Sequence, residues 1–441
     1  FALAGTAAVV LLFALAGGIL SYFFSAPLAA MLAGEKVVSG PIAEDTTWRD
    51  SRTYMLDDMV YVTDGATLTI QSGTRIEGRP GSALVVTRGA ELRSRGRREE
   101  PVVFTSAREP GQRAPGDWGG VALLGSAPVN VANAHLEGIP ADDDRGRFGG
   151  SDAASSCGVL EYTRIEFAGH EVAANVELNG LTLGGCGSAT VIRHVQVHKG
   201  LDDGVELFGG TADIERVVIT RAADDGLDWD LGWRGNAQFL VIQQEAAAGD
   251  NAIEADNNRD DHAATPRSSP TIANATLVGS QRSGAGQRAM TLRRGTGADF
   301  RNLIVAGFPL ELLDLRDEAT ADMVAAGRLR FAGLITHRIG PRGRRIAVRE
   351  ASGDADDDGG FDEERFLRRS QARIGVDPRL PRDAFNVLAP DYVPAANSPA
   401  TEGAVDLPQG EFWNQGADFI GAVDPDTGRS WLAGWTAFPE N

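Results

Sequence analysis

The apolar positions of this chain fall in short alternating runs, not in helical stripes. Met59-Val60-Tyr61-Val62, Thr67-Leu68-Thr69-Ile70, Ala83-Leu84-Val85-Val86 and Val102-Val103-Phe104 are each strand-length and bounded by turn-forming residues. Such runs predict β-strands separated by tight turns. No long helical periodicity interrupts them before about residue 310. The pattern predicts an all-β body built as a sandwich, a barrel or a solenoid.

An internal repeat selects the solenoid. Ile192, Val195, Val197, Asp202, Asp203, Gly204 and Val205 recur 22 residues later as Ile214, Val217, Ile219, Asp224, Asp225, Gly226 and Leu227. A weaker copy follows as Leu240, Ile242, Asp250, Asn251, Ala252 and Ile253, and an earlier one runs from Tyr162 to Asn179-Gly180-Leu181. This period is one coil of a parallel β-helix, with coils stacking at about 4.8 Å. Gly at corners with positive φ then accounts for 54 glycines in 441 residues.

The expected layout is an anchor at 1–34, a linker at 35–52 and a right-handed parallel β-helix at 53–315. Residues 316–376 hold a helix around Asp317 to Ala326, an Arg-rich run and an acidic loop. The Pro-rich segment 377–441 is expected to wrap or cap the open solenoid end, with Trp413, Trp431 and Trp435 in its packing. Residues 140–156 and 257–270 read as loops thrown out from the stack.

Several stretches carry a family resemblance: Val62-Thr63-Asp64-Gly65-Ala66-Thr67-Leu68-Thr69-Ile70, Gly116-Asp117-Trp118-Gly119-Gly120-Val121, Leu178-Asn179-Gly180-Leu181-Thr182-Leu183-Gly184-Gly185 and Phe419-Ile420-Gly421-Ala422. Together they resemble a group of bacterial secreted or surface right-handed β-helix proteins, many known as hypothetical lipoproteins or sorting-domain proteins. The resemblance implies the fold and an extracytoplasmic address. It brings no activity and no catalytic residues. The chain departs from the group in its amino terminus, which has a long apolar segment and no lipobox Cys.

Phe1 to Gly34 contains no charged residue. The first 24 residues would span roughly 36 Å as a helix, enough to cross a bilayer. Tyr22, Phe23 and Phe24 stand where an interfacial aromatic belt is expected. Cys157 and Cys186 are the two cysteines, in neither a CxxC nor a metal-type spacing. They read as a disulfide, which places the body outside the cytoplasm, or as two buried thiols. The expected address is a bacterial inner membrane with a periplasmic body, the lipid bilayer being the first partner.

The formal charge is −19, from 42 basic and 61 acidic side chains, which excludes a general nucleic-acid binder. The acids are clustered. Asp202 to Asp230 holds nine acids and two Arg, and Asp354 to Glu364 holds seven acids and no base. In the 22-residue register Asp202 lies beside Asp224 and Asp203 beside Asp225, extended by Glu206 and Asp228, with Asp230, Asp250, Glu254 and Asp256 nearby. Like charges at that spacing destabilise a sheet unless something offsets them. Ca²⁺, hydrogen bonds to turn amides, or a shared proton would each do so. A carbohydrate-active site is the remaining reading, with Trp229, Trp233 and His198 as candidate lining.

Two further segments carry candidate chemistry. Asp354, Asp356, Asp358 and Asp362, with Glu364 replacing the usual last ligand, match the start of a calcium loop. The run 328–349 holds seven Arg and no acid, so Arg342, Arg344 and Arg345 are candidate contacts for an acidic partner or lipid headgroups. Two functions follow. The first is a membrane-anchored, non-catalytic scaffolding subunit of a larger secretion, respiratory or photosynthetic membrane complex. The second is a polysaccharide-binding or polysaccharide-cleaving surface protein. An open acidic groove on the solenoid would favour the second, and a flat surface the first.

Overall fold

The computed structural model describes residues 34–441 apart from 174–175, 283–284, 342, 344, 348–356 and 428–429. The anchor expectation for residues 1–33, including Tyr22, Phe23 and Phe24, lies outside the described residues. Among those described, no helix is long and apolar enough to cross a membrane.

The body is a parallel β-helix in which 23 strands form one continuous parallel ladder system. A two-stranded antiparallel pair, Glu171–Ala173 and Val176–Glu177, is set apart from it. It begins earlier and ends later than the sequence suggests. The stretch expected as a linker forms the first coil through the strands Lys36–Ile42 and Thr46–Trp48. The last full coil ends with Leu329–His337.

Each coil has three faces. A long strand such as Val191–His198 supplies two of them, bent at one residue, and a short strand such as Val205–Phe208 supplies the third. The bend residue takes a left-handed conformation in coil after coil: Tyr162, His194, Arg216, Phe239, Asn274, Asn302 and Gly333, with φ between 46° and 69°. Only one of these is glycine, so the expectation that glycine turns the corners fails at this bend. Thirty described glycines, such as Gly65, Gly89, Gly169, Gly185, Gly209 and Gly232, do take positive φ, most of them at other turns. A left-handed residue costs about 1–2 kcal/mol. Parallel pairing on both sides of each bend offsets it, as in Leu160↔Ile192↔Ile214 and Ile165↔Val197↔Ile219.

The glycine of the repeat serves packing. A Cβ on Gly204 would lie 2.2 Å from Ile219 Cγ2, and one on Gly226 would lie 2.5 Å from Ile242 Cγ2. The core is the solenoid bore, filled by stacked residues such as Leu207, Trp229, Ala255 and Leu292. Trp229 and Trp233 are both fully buried there. They cannot line a sugar site from inside the bore.

Residues 316–376 contain the expected helix, Glu318–Ala325 capped by Asp317, and a second one, Glu363–Arg369. The carboxy-terminal segment does not cap the open end. It runs back along the second face as a strap. Buried amide side chains on that face and at its bend hold the backbone of the strap. Gln243 donates to the Ala384 carbonyl at 3.0 Å, and the bend residues Asn274 and Asn302 donate to the carbonyls of Phe419 at 2.8 Å and Val405 at 2.9 Å. Its own Trp435 is buried against Val218, Val241 and Val278, and its Trp413 against Phe239 and Ala273. His198, read as candidate sugar lining, is buried under the strap with Nε2 2.9 Å from the Pro439 carbonyl oxygen.

Candidate functional site

The third face carries the acids in three parallel columns. The first stands at the turn entering the face: Asn179, Asp203, Asp225 and Asn251. One oxygen of each acid is engaged by the next coil. Asp203 Oδ1 accepts from the Asp225 amide at 2.9 Å, and Asp225 Oδ1 accepts from the Asn251 amide at 2.7 Å. Turn capping is therefore part of what these acids do, as the sequence reading allowed.

The second column points outward from the strands: Thr182, Glu206, Asp228, Glu254 and Thr291. The third runs from Phe208 to Asp230 by direct pairing. Asp256 continues it, its amide bonded to the Trp229 carbonyl, and then Arg293, bonded to that of Ala255. Asp202 and Asp224 stand at the rim, before the first column.

The stretch from Asn130 to Phe148, which runs into the first of the loops expected to project (140–156), and the second of those loops (257–270) fold back and wall the face. His135, Leu136, Glu137 and Phe148 form part of one side, and Arg259 stands at the rim. Asn130 ties the two segments together through Asn257 and Asn258. The result is a cleft of about 390 Å³ along the solenoid axis. A larger cavity of about 730 Å³ lies between the strap and the end of the second face, where Arg338 and Arg382 face Asp377 and Asp383. Its charges balance, and none of its side-chain atoms is buried without a partner.

Charge compensation in the cleft is one-sided. At the carboxy-terminal end Arg293 binds Glu254 and Asp256, and Arg294 binds Asp256. Among the described residues that line the cleft, the opposite end contributes no Arg or Lys. Burial first, and then the neighbouring carboxylates, hold Asp203, Glu206, Asp225 and Asp228 well above the ordinary carboxylate range. Asp230 is pushed up to about 6 by burial and Asp256.

Three overlapping trios form: Asp202, Asp203 and Asp224; Asp203, Glu206 and Asp228; Asp225, Asp228 and Glu254. The ligand oxygens within each lie within 4.8 Å of one another. Asn179 is 5% exposed and its Oδ1 has no partner, although its Nδ2 donates to Glu206. Asp228 Oδ1 is likewise buried without a partner. Both side chains line the cleft.

A hard cation fits this donor set. Ca²⁺ binds oxygens at about 2.3–2.6 Å, so two ligands of one ion lie at most about 5 Å apart. The trios meet that limit, offer only oxygen, and leave Asn179 Oδ1 as a neutral donor beside Glu206. No His or Cys joins them, so a soft-metal site is not formed by these groups.

The other predicted sites are placed as follows. Asp354 and Asp356 lie outside the described residues. Asp358 accepts from the Gly360 amide, Asp362 caps the helix Glu363–Arg369, and Glu364 pairs with Arg368. Arg342 and Arg344 lie outside the described residues, and Arg345 is exposed. Cys157 and Cys186 form the disulfide, buried beside the third face. Reasoning from the sequence missed Arg259, Arg293, Arg294 and the loop wall. Only the Asn179-Gly180-Leu181 copy of the repeat put Asn179 in line with the acids.

No curated protein and no solved structure matches the chain. A family model described as the pectate-lyase-like β-helix domain does match, over residues 40–345, from the first coil to just beyond the last. With the parallel ladders and the cleft on the third face, that match assigns the chain to the family of pectate-lyase-like β-helix domains.

Proposed function

We propose that the third face is a glycan-binding cleft in which Ca²⁺ helps to hold an acidic polysaccharide. The observation that carries this reading is the Asp203, Glu206 and Asp228 trio, with the unpartnered Asn179 Oδ1 beside it. Ca²⁺ takes about six to eight oxygens, so three carboxylates leave positions for ligand oxygens. When bound, the ion supplies positive charge where the carboxylates would otherwise repel one another and any acidic ligand. Asp203, Glu206 and Asp228 would hold it. Arg259, exposed at the rim, adds a fixed cation suited to a carboxylate or sulfate. A groove, not a flat lateral wall, is what distinguishes this reading from a scaffolding subunit. The buried disulfide supports an extracytoplasmic body, and anchoring rests on the apolar run at residues 1–24.

The test is a binding and turnover screen of the full chain against uronate-rich and neutral glycans, with calcium and with chelator. Calcium-dependent binding of the acidic glycans is expected, reduced in Asp203→Asn and Asp225→Asn. New reducing ends would extend the reading from binding to cleavage. No binding to any glycan under either condition would overturn it.

A further inference from the structure

The edge opposite the loop wall carries a second charge cluster. The turns leading from the second face to the third begin at Lys199 and Arg221. Each reaches the first acid column four residues later, at Asp203 and Asp225. Both cations are buried, at 7% and 4% exposure. Their amides are fixed to the next coil, Lys199 to the Thr220 carbonyl at 2.9 Å and Arg221 to that of Gln243 at 2.8 Å. Buried cations need partners, because a charge taken out of water and left unpaired is strongly unfavourable.

The partners come largely from the end of the strap. Arg221 donates to both Glu440 oxygens, at 2.5 and 3.2 Å, and Lys199 donates to the Glu440 carbonyl. Glu245 takes the remaining Arg221 donor at 2.7 Å. Ala437 and Gln196 exchange two further bonds, at 2.7 and 3.0 Å. The strap thus closes onto the backs of the two turns whose fronts present Asp203 and Asp225.

We infer that Glu440 is a latch energetically coupled to the cation site of the third face. This rests on the reading that the acid columns hold a cation. Two effects act in one direction. A closed latch fixes the turns 199–204 and 221–226, so the carboxylates are held in place before the ion arrives. It also neutralises the positive charge behind them, which would otherwise oppose a cation. Coupling between two sites is reciprocal, so cation binding must hold the strap closed by the same factor. The strap covers the second face and the ligand cleft lies on the third. The device therefore makes the covered state of one face depend on calcium at the other.

The experiment uses the full chain with calcium alone as the ligand. Calorimetric titration gives the calcium affinity of the wild type, Glu440→Gln and Gln196→Ala. Hydrogen exchange at the Ala437 amide, with calcium and with chelator, reports strap closure. Gln196→Ala loosens the strap without touching the acids or the buried cations, so it serves if Glu440→Gln fails to fold. We expect calcium to bind about five- to tenfold more weakly in both variants, within the usual range of such couplings. Wild-type exchange at Ala437 should slow with calcium. Equal affinities together with unchanged exchange would overturn the latch and leave the cation site standing. Absence of calcium binding to the wild type would overturn both.

Discussion

Replacing Asp230 by Asn isolates what the acid ladder costs the fold. Asp230 belongs to the third column and to none of the three trios, so the change leaves the candidate cation ligands in place. Burial and then Asp256 move its carboxyl from 3.8 to about 6. At about 1.4 kcal/mol per pH unit, ionisation in the folded state therefore costs about 3 kcal/mol relative to the unfolded chain. The sign follows from proton uptake. The folded state keeps this proton to a higher pH than the unfolded state does. Stability is thus lost as pH rises from about 4 through about 6, and stays lost above. Asn keeps the shape, and its Oδ1 can still accept the Leu231 amide that Asp230 accepts. In chelator at a pH of about 8, Asp230→Asn should raise stability by about 1–3 kcal/mol, the lower end allowing for relaxation around the charge. Near pH 4 the two proteins should match within a few tenths of a kcal/mol, about the cost of an ordinary surface change. Urea denaturation of the full chain at both pH values reads the difference. Equal destabilisation at both, or no pH dependence of the difference, would refute the electrostatic argument.

Further outcomes follow from the packing. Removing the disulfide as Cys157→Ser with Cys186→Ser should cost about 3–4 kcal/mol, seen as a lower urea midpoint; an unchanged midpoint would show that the bond does not constrain the coil insertion. Gly204→Ala would place a Cβ 2.8 Å from the Gly226 carbonyl oxygen as well as against Ile219. It should cost about 1–3 kcal/mol in thermal unfolding, and a neutral result would mean that the repeat glycine is not a packing requirement. Gln243→Ala strands the Ala384 carbonyl and the Tyr392 hydroxyl. It should cost about 1–3 kcal/mol and speed hydrogen exchange in the strap, whereas slow exchange would mean that the strap is held elsewhere.

The repeat made much of the fold legible. The 22-residue spacing that sets Asp203 against Asp225 is the spacing of an actual hydrogen bond, from the Asp225 amide to Asp203. The pairing of Val205 with Leu227 fixes Glu206 beside Asp228 without further information. The walls of the cleft were hidden because they come from insertions. An insertion has no partner in the period, so nothing in the chain says that residues 125–150 fold back or that Arg259 ends at the rim. Arg293 and Arg294 were hidden for a related reason, since insertions lengthen the coils after Asn251 and break the register. Trp229 was misplaced because aromatic character does not report direction. Its pairing with Leu207 and Ala255 puts it in the bore. The strap had a signal that went unread. Gln196 and Gln243 on the second face, and Asn274 and Asn302 at the bend that enters it, are uncharged amides where an exposed surface would favour charge. Each is bonded to the strap or its side chains.

In the proposed function, carboxylates of the third face hold a divalent cation. Calcium titration of the full chain by calorimetry, with Asp228→Asn beside the wild type, tests it most directly. Asp228 is shared by two of the trios and has a buried oxygen without a partner. Saturable binding to the wild type is expected near neutral pH. At about one hundred times the dissociation constant, calcium should stabilise the fold by about 2.7 kcal/mol. Both effects should be largely lost in Asp228→Asn. No binding heat and no stabilisation of the wild type, or equal affinity in the variant, would contradict it.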